Sequence, residues 1–309
     1  MKISALTAGL TAAVLLSGSS LTASAQDTYA AKDGTLFYYS VTDQSKLEIS
    51  IDSAVLPEGS GELVIPETIG SYTVTGISDR AFFGCTAMTS VSLPETLTHI
   101  GDYSFSGCFG LTSAVIPDSV TKMGTGCFAS CGSLSEAKLS KSITAVPDEC
   151  FAACSDLKDA ILPAGLTSIG SEAFYGCGEL TLFVPDTVTE IGSNAIGMHF
   201  DLRTGLLEPF DDFLVLGAGG SAIEAYAYAM DMDFIDPDDG LAGDVDADGI
   251  VDSADSSAVL EEYANVSTGE KPSFSRAQNF RADLNSDRIT DSSDASEILE
   301  IYVRQQTQD

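Results

Sequence analysis

The apolar positions in the middle of the chain return with a period of 23 residues. Phe82, Phe105, Phe128, Phe151 and Phe174 share one register, and Met88, Leu111, Leu134, Leu157 and Leu180 a second. Ile77, Ile100, Met123, Val146 and Ile169 form a third, and Cys85, Cys108, Cys131, Cys154 and Cys177 a fourth. A proline punctuates most periods, at Pro94, Pro117, Pro163 and, one residue early, Pro185. A fixed period in the twenties marks a solenoid, in which equivalent positions stack coil upon coil. Within one coil, Met88-Thr-Ser-Val-Ser-Leu-Pro94 alternates near its end, which predicts a short strand with Val91 and Leu93 inward and Ser90 and Ser92 outward. The proline ends the strand because it has no amide donor for the ladder. Leu97 and Ile100 then turn the chain with Gly101 at the bend, and Ser104-Phe-Ser-Gly-Cys108 predicts a short helical turn whose Phe fills the interior. The pattern predicts a mostly β solenoid with a short strand and a helical turn in each coil.

The flanks read as caps, which a solenoid needs to cover its end coils. Short alternating runs such as Leu47-Glu-Ile-Ser-Ile51 suit an N-terminal β cap over 26–62. Ser221 to Met230 predicts an Ala-rich terminal helix, followed by a last strand near Phe234, which closes a solenoid spanning 63–236. Residues 237–240 form a polar linker, and 241–309 a separate small α-helical module. At the N-terminus, Lys2, an apolar stretch from Ala5 to Leu16 and the sequence Ala23-Ser24-Ala25 describe a secretory signal peptide over 1–25. The stretch is too short to span a bilayer. The expectation is a secreted, extracellular protein with no membrane partner.

The last module holds two copies of a calcium-loop pattern. Asp244, Asp246, Asp248, Asp252 and Asp255 place oxygens at positions 1, 3, 5, 9 and 12, with Gly249 at position 6 and the Ile250 carbonyl at position 7. The pattern recurs as Asp283, Asn285, Asp287, Asp291 and Asp294, with the Ile289 carbonyl at position 7 and Arg288 in place of the glycine. Calcium is a hard cation that takes six to eight oxygens, and this spacing curls them around one point, so two ions are expected. Position 12 is Asp rather than Glu in both loops. Each loop is followed by an amphipathic helix, and neither is preceded by one, since the segments before Asp244 and Asp283 read as too short.

Charge and the remaining chemistry narrow the function. The net charge is −32, from 46 acidic and 14 basic residues, which repels nucleic acid and anionic lipid. The repeating cysteines admit a disulfide ladder or a stack of buried thiols. Seven is an odd number, and coils stacked at about 4.8 Å hold in-register Cβ atoms farther apart than the roughly 3.8 Å disulfides use, so buried thiols are expected. His199 falls near Cys177 one coil away but lacks an orienting partner for a nucleophilic pair. No G-x-S-x-G or H-E-x-x-H motif occurs, and no catalytic residue is assigned. On the strand face, Ser90, Ser92, Ser113, Glu136, Lys138 and Asp159 point outward together with apolar Val115, Ile161 and Phe183, a face for a protein or cell-wall ligand.

The segment Ala173-Phe-Tyr-Gly-Cys177 and the Leu-Thr-Ser runs before apolar-Pro pairs resemble BspA-like leucine-rich repeats over roughly 60 to 236. Gly243-Asp-Val-Asp and Ala282-Asp-Leu-Asn, with the doubled loop and helix, resemble a type I dockerin over about 241 to 304. The dockerin resemblance implies docking onto a cohesin domain of a scaffold protein. It also implies contacts from Ser253 and Ala254 or Ser292 and Ser293, and from Val259, Leu260 and Tyr263 or Ile298, Leu299 and Tyr302. Some of these apolar residues must also form the module's own core. The family's setting is the cellulosome, a polysaccharide-degrading complex. The solenoid takes up nearly all of the chain before the dockerin, and the absence of tryptophan argues against a sugar-binding platform. The first expectation is a non-catalytic docked subunit, with a cell-surface adhesin and a cryptic hydrolase as alternatives.

Overall fold

The computed structural model describes residues 27–211, 213–237, 242–285 and 289–307. The expected signal peptide lies outside them. The cap consists of β1 (Asp27–Ala30), β2 (Leu36–Asp43) and β3 (Glu48–Val55), paired antiparallel. The solenoid opens with β4 (Glu62–Val64), β5 (Thr68–Ile69) and β6 (Tyr72–Ile77). Each coil then contributes two strands: β7 (Ser90–Ser92) and β8 (His99–Ile100), β9 (Ser113–Val115) and β10 (Lys122–Met123), β11 (Glu136–Lys138) and β12 (Ala145–Val146), β13 (Asp159–Ile161) and β14 (Ser168–Ile169), β15 (Leu182–Val184) and β16 (Glu190–Ile191). A hairpin of β17 (Met198–Asp201) and β18 (Leu206–Pro209) interrupts the period. The expected terminal helix and strand follow β19 (Leu214–Gly217) as α1 (Ala222–Ala229) and β20 (Asp233–Ile235). The C-terminal module holds α2 (Ser253–Ser267), α3 (Arg276–Ala282) and α4 (Ser292–Gln306).

Two parallel ladders run along the solenoid. On the first side β4 pairs with β7, β11 lies between β9 and β13, and β19 lies between β15 and β20. The bridge between Asp159 and Thr181 joins the last two groups. On the second side β6, β8 and β10 continue the cap sheet through β3, and β12, β14 and β16 follow. The residues read as a bend, Leu97 to Ile100, thus contain a second strand. The glycine after it is there for closeness: a Cβ on Gly124 would meet the Asp102 backbone nitrogen at 2.5 Å. The third side is a run of i to i+3 turns rather than regular helix, as in Cys108 N–H to the Phe105 carbonyl at 3.2 Å. There too the coils bond to one another, with Phe105 N–H donating to the Cys127 carbonyl at 2.8 Å and Phe128 N–H to the Cys150 carbonyl at 2.9 Å.

The interior follows the ladders read from the sequence. Phe82, Phe105, Phe128, Phe151 and Phe174 are buried, and consecutive rings stack at 5.1, 5.1, 5.7 and 5.4 Å between centroids. Offset stacking of this kind adds to the apolar burial itself. The cysteines are free thiols, buried except for half-buried Cys85. They also have a donor role that the spacing did not reveal: Cys108, Cys131, Cys154 and Cys177 each donate Sγ–H to the Phe carbonyl 26 residues earlier, at 3.1 to 3.3 Å. Burial pushes the Cys108 and Cys177 thiols up to about 12, so neither supplies a thiolate near neutrality. His199 is stacked on Phe210, with ring centroids 4.2 Å apart, and makes no catalytic pair with Cys177, whose Sγ is bonded to the Phe151 carbonyl.

In the C-terminal module α2 packs on α4 around Val245, Val251, Val259, Ala282, Ala295 and Ile298. Ser256 Oγ donates to the Ala295 carbonyl at 2.9 Å, tying the two helices. Buried Glu262 fastens the connecting segment by accepting from Ser273 N–H at 2.8 Å, Ser273 Oγ–H and Phe274 N–H at 3.3 Å. Burial alone would raise its carboxyl, but those donors outweigh burial and hold it below the ordinary range. One expectation is corrected: α3 leads into the second loop and ends on Asp283, its C-cap and the first residue of that loop. Seven residues are too few to show a helical period, yet Ser275 and Gln278 form a capping box that nucleates it.

Replacing Phe128 with Ala removes the central ring of the stack, and full burial on both sides leaves the cavity little room to collapse. The expected loss is about 3–5 kcal/mol, read as a lowered urea midpoint of the solenoid transition.

Candidate functional site

The first acidic loop is assembled by backbone amides. Asp244, wholly buried, accepts from Asp248 N–H at 3.1 Å and Gly249 N–H at 3.0 Å. Gly249 takes φ +88°, the left-handed conformation that brings the chain back on itself at position 6. Asp255, 1% exposed, accepts from Val245 N–H at 2.7 Å and Asp246 N–H at 3.2 Å through Oδ1, and from Asp252 N–H at 2.8 Å through Oδ2. It clamps the start of the loop to the start of α2. Asp252 is the N-cap of α2 and bonds Ala254 N–H at 2.6 Å, so positions 9 and 12 form a capping box. The sequence pattern D-x-x-D carried that signal.

Asp244, Asp246 and Asp255 offer carboxylate oxygens that all lie within 4.8 Å of one another. Like charges this close repel. Burial first, then the charges of Asp248, Asp255 and Asp244, raise the Asp246 carboxyl above its ordinary value. A divalent cation that prefers hard oxygen ligands fits this donor set, and removing the repulsion is what it would contribute. Asp248 bonds Ile250 N–H at 2.9 Å, and Ile250 holds its side chain 59% exposed.

The second loop repeats the frame. Asp294, wholly buried, accepts from Leu284 N–H at 3.1 Å, Asn285 N–H at 3.4 Å and Asp291 N–H at 3.0 Å. Asp291 caps α4 through Ser293 N–H at 2.7 Å, and Ile289 is 59% exposed like its counterpart. Asp287 and Arg288 lie outside the described residues.

The helices sort the expected contact residues into two groups. Leu260 and Tyr263 on α2 are 45% and 43% exposed, Leu299 on α4 is 41% exposed, and Tyr302 is half-buried. Ser253, Ala254, Ser292 and Ser293 are exposed beside them at the helix starts. Val259 and Ile298 are corrected: both are wholly buried between α2 and α4, so they hold the module together and have no surface to offer a partner.

On the solenoid's first side, the pairing registers place Val115, Lys138 and Ile161 in one outward column, the Asp159–Thr181 bridge carries it on to Phe183, and Ser92 stands 23 residues before Val115. Val115, Ile161 and Phe183 are largely exposed, and Val64, in register with Ser92, extends the column at its other end. Ala114, Ala137 and Ala160, between the outward residues, are buried. Among the described residues no helix is long and apolar enough to cross a membrane.

Comparison with known families matches residues 75–202, in six copies, to the BspA type leucine rich repeat region, and residues 242–300 to the dockerin type I domain. No curated protein matches the chain. Among solved structures, the chain is similar to a leucine rich cell surface protein from Faecalibacterium prausnitzii, at 21% identity over 64% of this chain and 66% of that one, with a TM-score of 0.41. It is also similar to a leucine rich repeat protein of T. pallidum (27% identity, 50% of this chain, 78% of that one, TM-score 0.36). A third similar structure is a leucine-rich repeat protein from Eubacterium ventriosum (23%, 54%, 49%, TM-score 0.43). The chain thus spans 66% of the first of these proteins and 49% of the third. Residues 75–202 are a BspA-type leucine-rich-repeat region and residues 242–300 a type I dockerin domain, two non-catalytic modules in one chain.

Proposed function

We propose that the protein is a secreted, non-catalytic subunit that docks through a calcium-loaded dockerin onto a cohesin domain of a scaffold protein, in an extracellular complex that degrades polysaccharide. The observation that carries this reading is the duplicated frame in which Asp255 and Asp294 each clamp a loop to a helix, beside exposed Leu260 and Tyr263 in one copy and Leu299 in the other. Two ions are proposed. Asp244, Asp246, Asp248, Asp252 and Asp255 with the Ile250 carbonyl would hold the first, and Asp283, Asn285, Asp287, Asp291 and Asp294 with the Ile289 carbonyl the second. The ion supplies positive charge that fixes the loops; the chain's own carboxylates and amides set where the helices start. The solenoid serves as a recognition or structural module, with Val115, Ile161 and Phe183 as the face for a protein or cell-wall ligand.

The module's core is small, so ion-binding energy is expected to be folding energy. Chelator should abolish most of the helical circular dichroism contributed by residues 241–309 while the solenoid transition persists. Asp255→Ala should do the same in calcium, because it deletes a ligand, an N3 cap and the acceptor of three amides; loss of the capping contribution alone costs about 1 kcal/mol. Helicity indifferent to chelator would end the calcium reading.

Docking is tested by capture on immobilised cohesin domains with and without chelator. Because the two helices present similar faces, Leu260→Asp with Tyr263→Asp should leave binding, as should Leu299→Asp with Tyr302→Asp, while the fourfold variant should lose it. Loss of binding from the α2 pair alone would show that only that face docks.

For the solenoid, the combined Val115→Ser, Ile161→Ser and Phe183→Ser variant should keep the wild-type fold, since all three side chains face solvent, and should lose binding to cell-wall extract. Undiminished binding by this variant would move the ligand to another face.

A further inference from the structure

The outward column of the first sheet changes character at its C-terminal end. Phe183 is 53% exposed, but Leu216, its partner in register on β19, is 7% exposed, and Ile235, the next in register on β20, is 4% exposed. Leu214, on the same face of β19, is 1% exposed. The intervening Val215 belongs to the solenoid core, so Leu214 and Leu216 face away from it. The three form an apolar cluster of their own, separate from the cores of both modules, and among the described residues the partly buried apolar side chain packed on it is Ala277 of α3.

The sequence explains why something must lie there. Upstream strands present Ser92, Glu136, Lys138 and Asp159 outward among single apolar residues, a mixture that water tolerates. On β19 and β20 leucine, leucine and isoleucine stand together on the outer face, a patch that gains by being covered. A short helix with a methyl side chain at the contact can approach closely. Its capping box of Ser275 and Gln278 fixes that helix locally, independent of either acidic loop's interior.

We infer that the outer face of β19 and β20 is a built seat for α3, and that through it the dockerin is held against the solenoid end as one body rather than joined by the linker alone. The seat leaves the docking helices free: Leu260, Tyr263 and Leu299 remain exposed. A partner bound at either helix is then held in a fixed orientation relative to the solenoid, whose exposed column of Phe183, Ile161 and Val115 runs on in register from Leu216 of the seat.

The test uses the full-length protein. Ala277 is the second residue of α3, where a carboxylate suits the helix dipole, so Ala277→Asp spares the helix and places a charge on Leu214, Leu216 and Ile235. Amide exchange at residues 214–217 and 233–235 should rise by about tenfold or more, and the radius of gyration from solution scattering should increase. Leu216→Ser, made from the solenoid side, should give the same release. Calcium uptake and cohesin capture should survive in both variants, so a failure of the docking reading in wild-type protein is distinguishable from a failure of the seat. The inference is overturned if wild-type scattering already shows separated modules, or if both variants match the wild type in exchange and in scattering.

Discussion

Everything in the solenoid depends on coil-to-coil backbone hydrogen bonding on all three sides at once. A sheet needs partners in one direction; here the turns bond across coils as well, through pairs such as Phe105 N–H to the Cys127 carbonyl and Phe82 N–H to the Ser104 carbonyl at 2.7 Å. That holds the central coils to one length of 23 residues, because an inserted residue would break register on the next side. It also brings equivalent residues within strand spacing of one another, so each position becomes a ladder. Phe stacks on Phe, and Cys108, Cys131, Cys154 and Cys177 each bond the equivalent Phe carbonyl of the preceding coil. The glycines after the second strand are the residues whose Cβ would strike that preceding coil. The repeat in the sequence is the consequence of this constraint, which is why its register was readable without coordinates.

Features bound to the period were legible, and features outside it were not. The inward and outward assignment of Val115, Ile161 and Phe183 held because the strand face alternates. The second ladder leaves no mark in the pattern because two-residue strands such as His99–Ile100 are too short to show alternation. The helix α3 leaves little mark for a related reason, being shorter than two helical turns, although Ser275 and Gln278 announce its start. On α2 and α4 the adjacent pairs Val259-Leu260 and Ile298-Leu299 are equally apolar in the sequence; only the helix packing decides that the first of each pair goes inside. The hairpin of β17 and β18 breaks the period, and no ladder position could place it.

The two modules solve the burial problem differently. The solenoid adds one Phe, one Leu or Met and one Cys per coil to a continuous interior, so its stability grows with the number of coils. Among its described residues the dockerin has six buried apolar residues in its core, too few for a domain of that size to rely on burial alone. Its acidic loops turn this shortage to use. Asp255 and Asp294 are fully engaged by amides, which fixes the geometry, while Asp244, Asp246 and Asp255 are left crowding one another. The frame is pre-set and the repulsion is what a cation relieves, so helix position and ion occupancy are linked by the same carboxylates.

The position of α3 joins these two solutions. Its C-cap is Asp283, the first residue of the second acidic loop, and Ala277 near its start packs on Leu214, Leu216 and Ile235 of the solenoid. A helix of seven residues is marginal in isolation, so it draws its order from three sources: its capping box, the loop it feeds, and the apolar seat beneath it. Each of these favours the same conformation. The seat therefore reinforces the geometry of a loop that it does not touch, and an ordered loop steadies a contact between modules that no calcium ligand makes. An acidic, marginally cored module at the end of a rigid solenoid gains from this arrangement, because the solenoid's large interior supports the small one through a single helix.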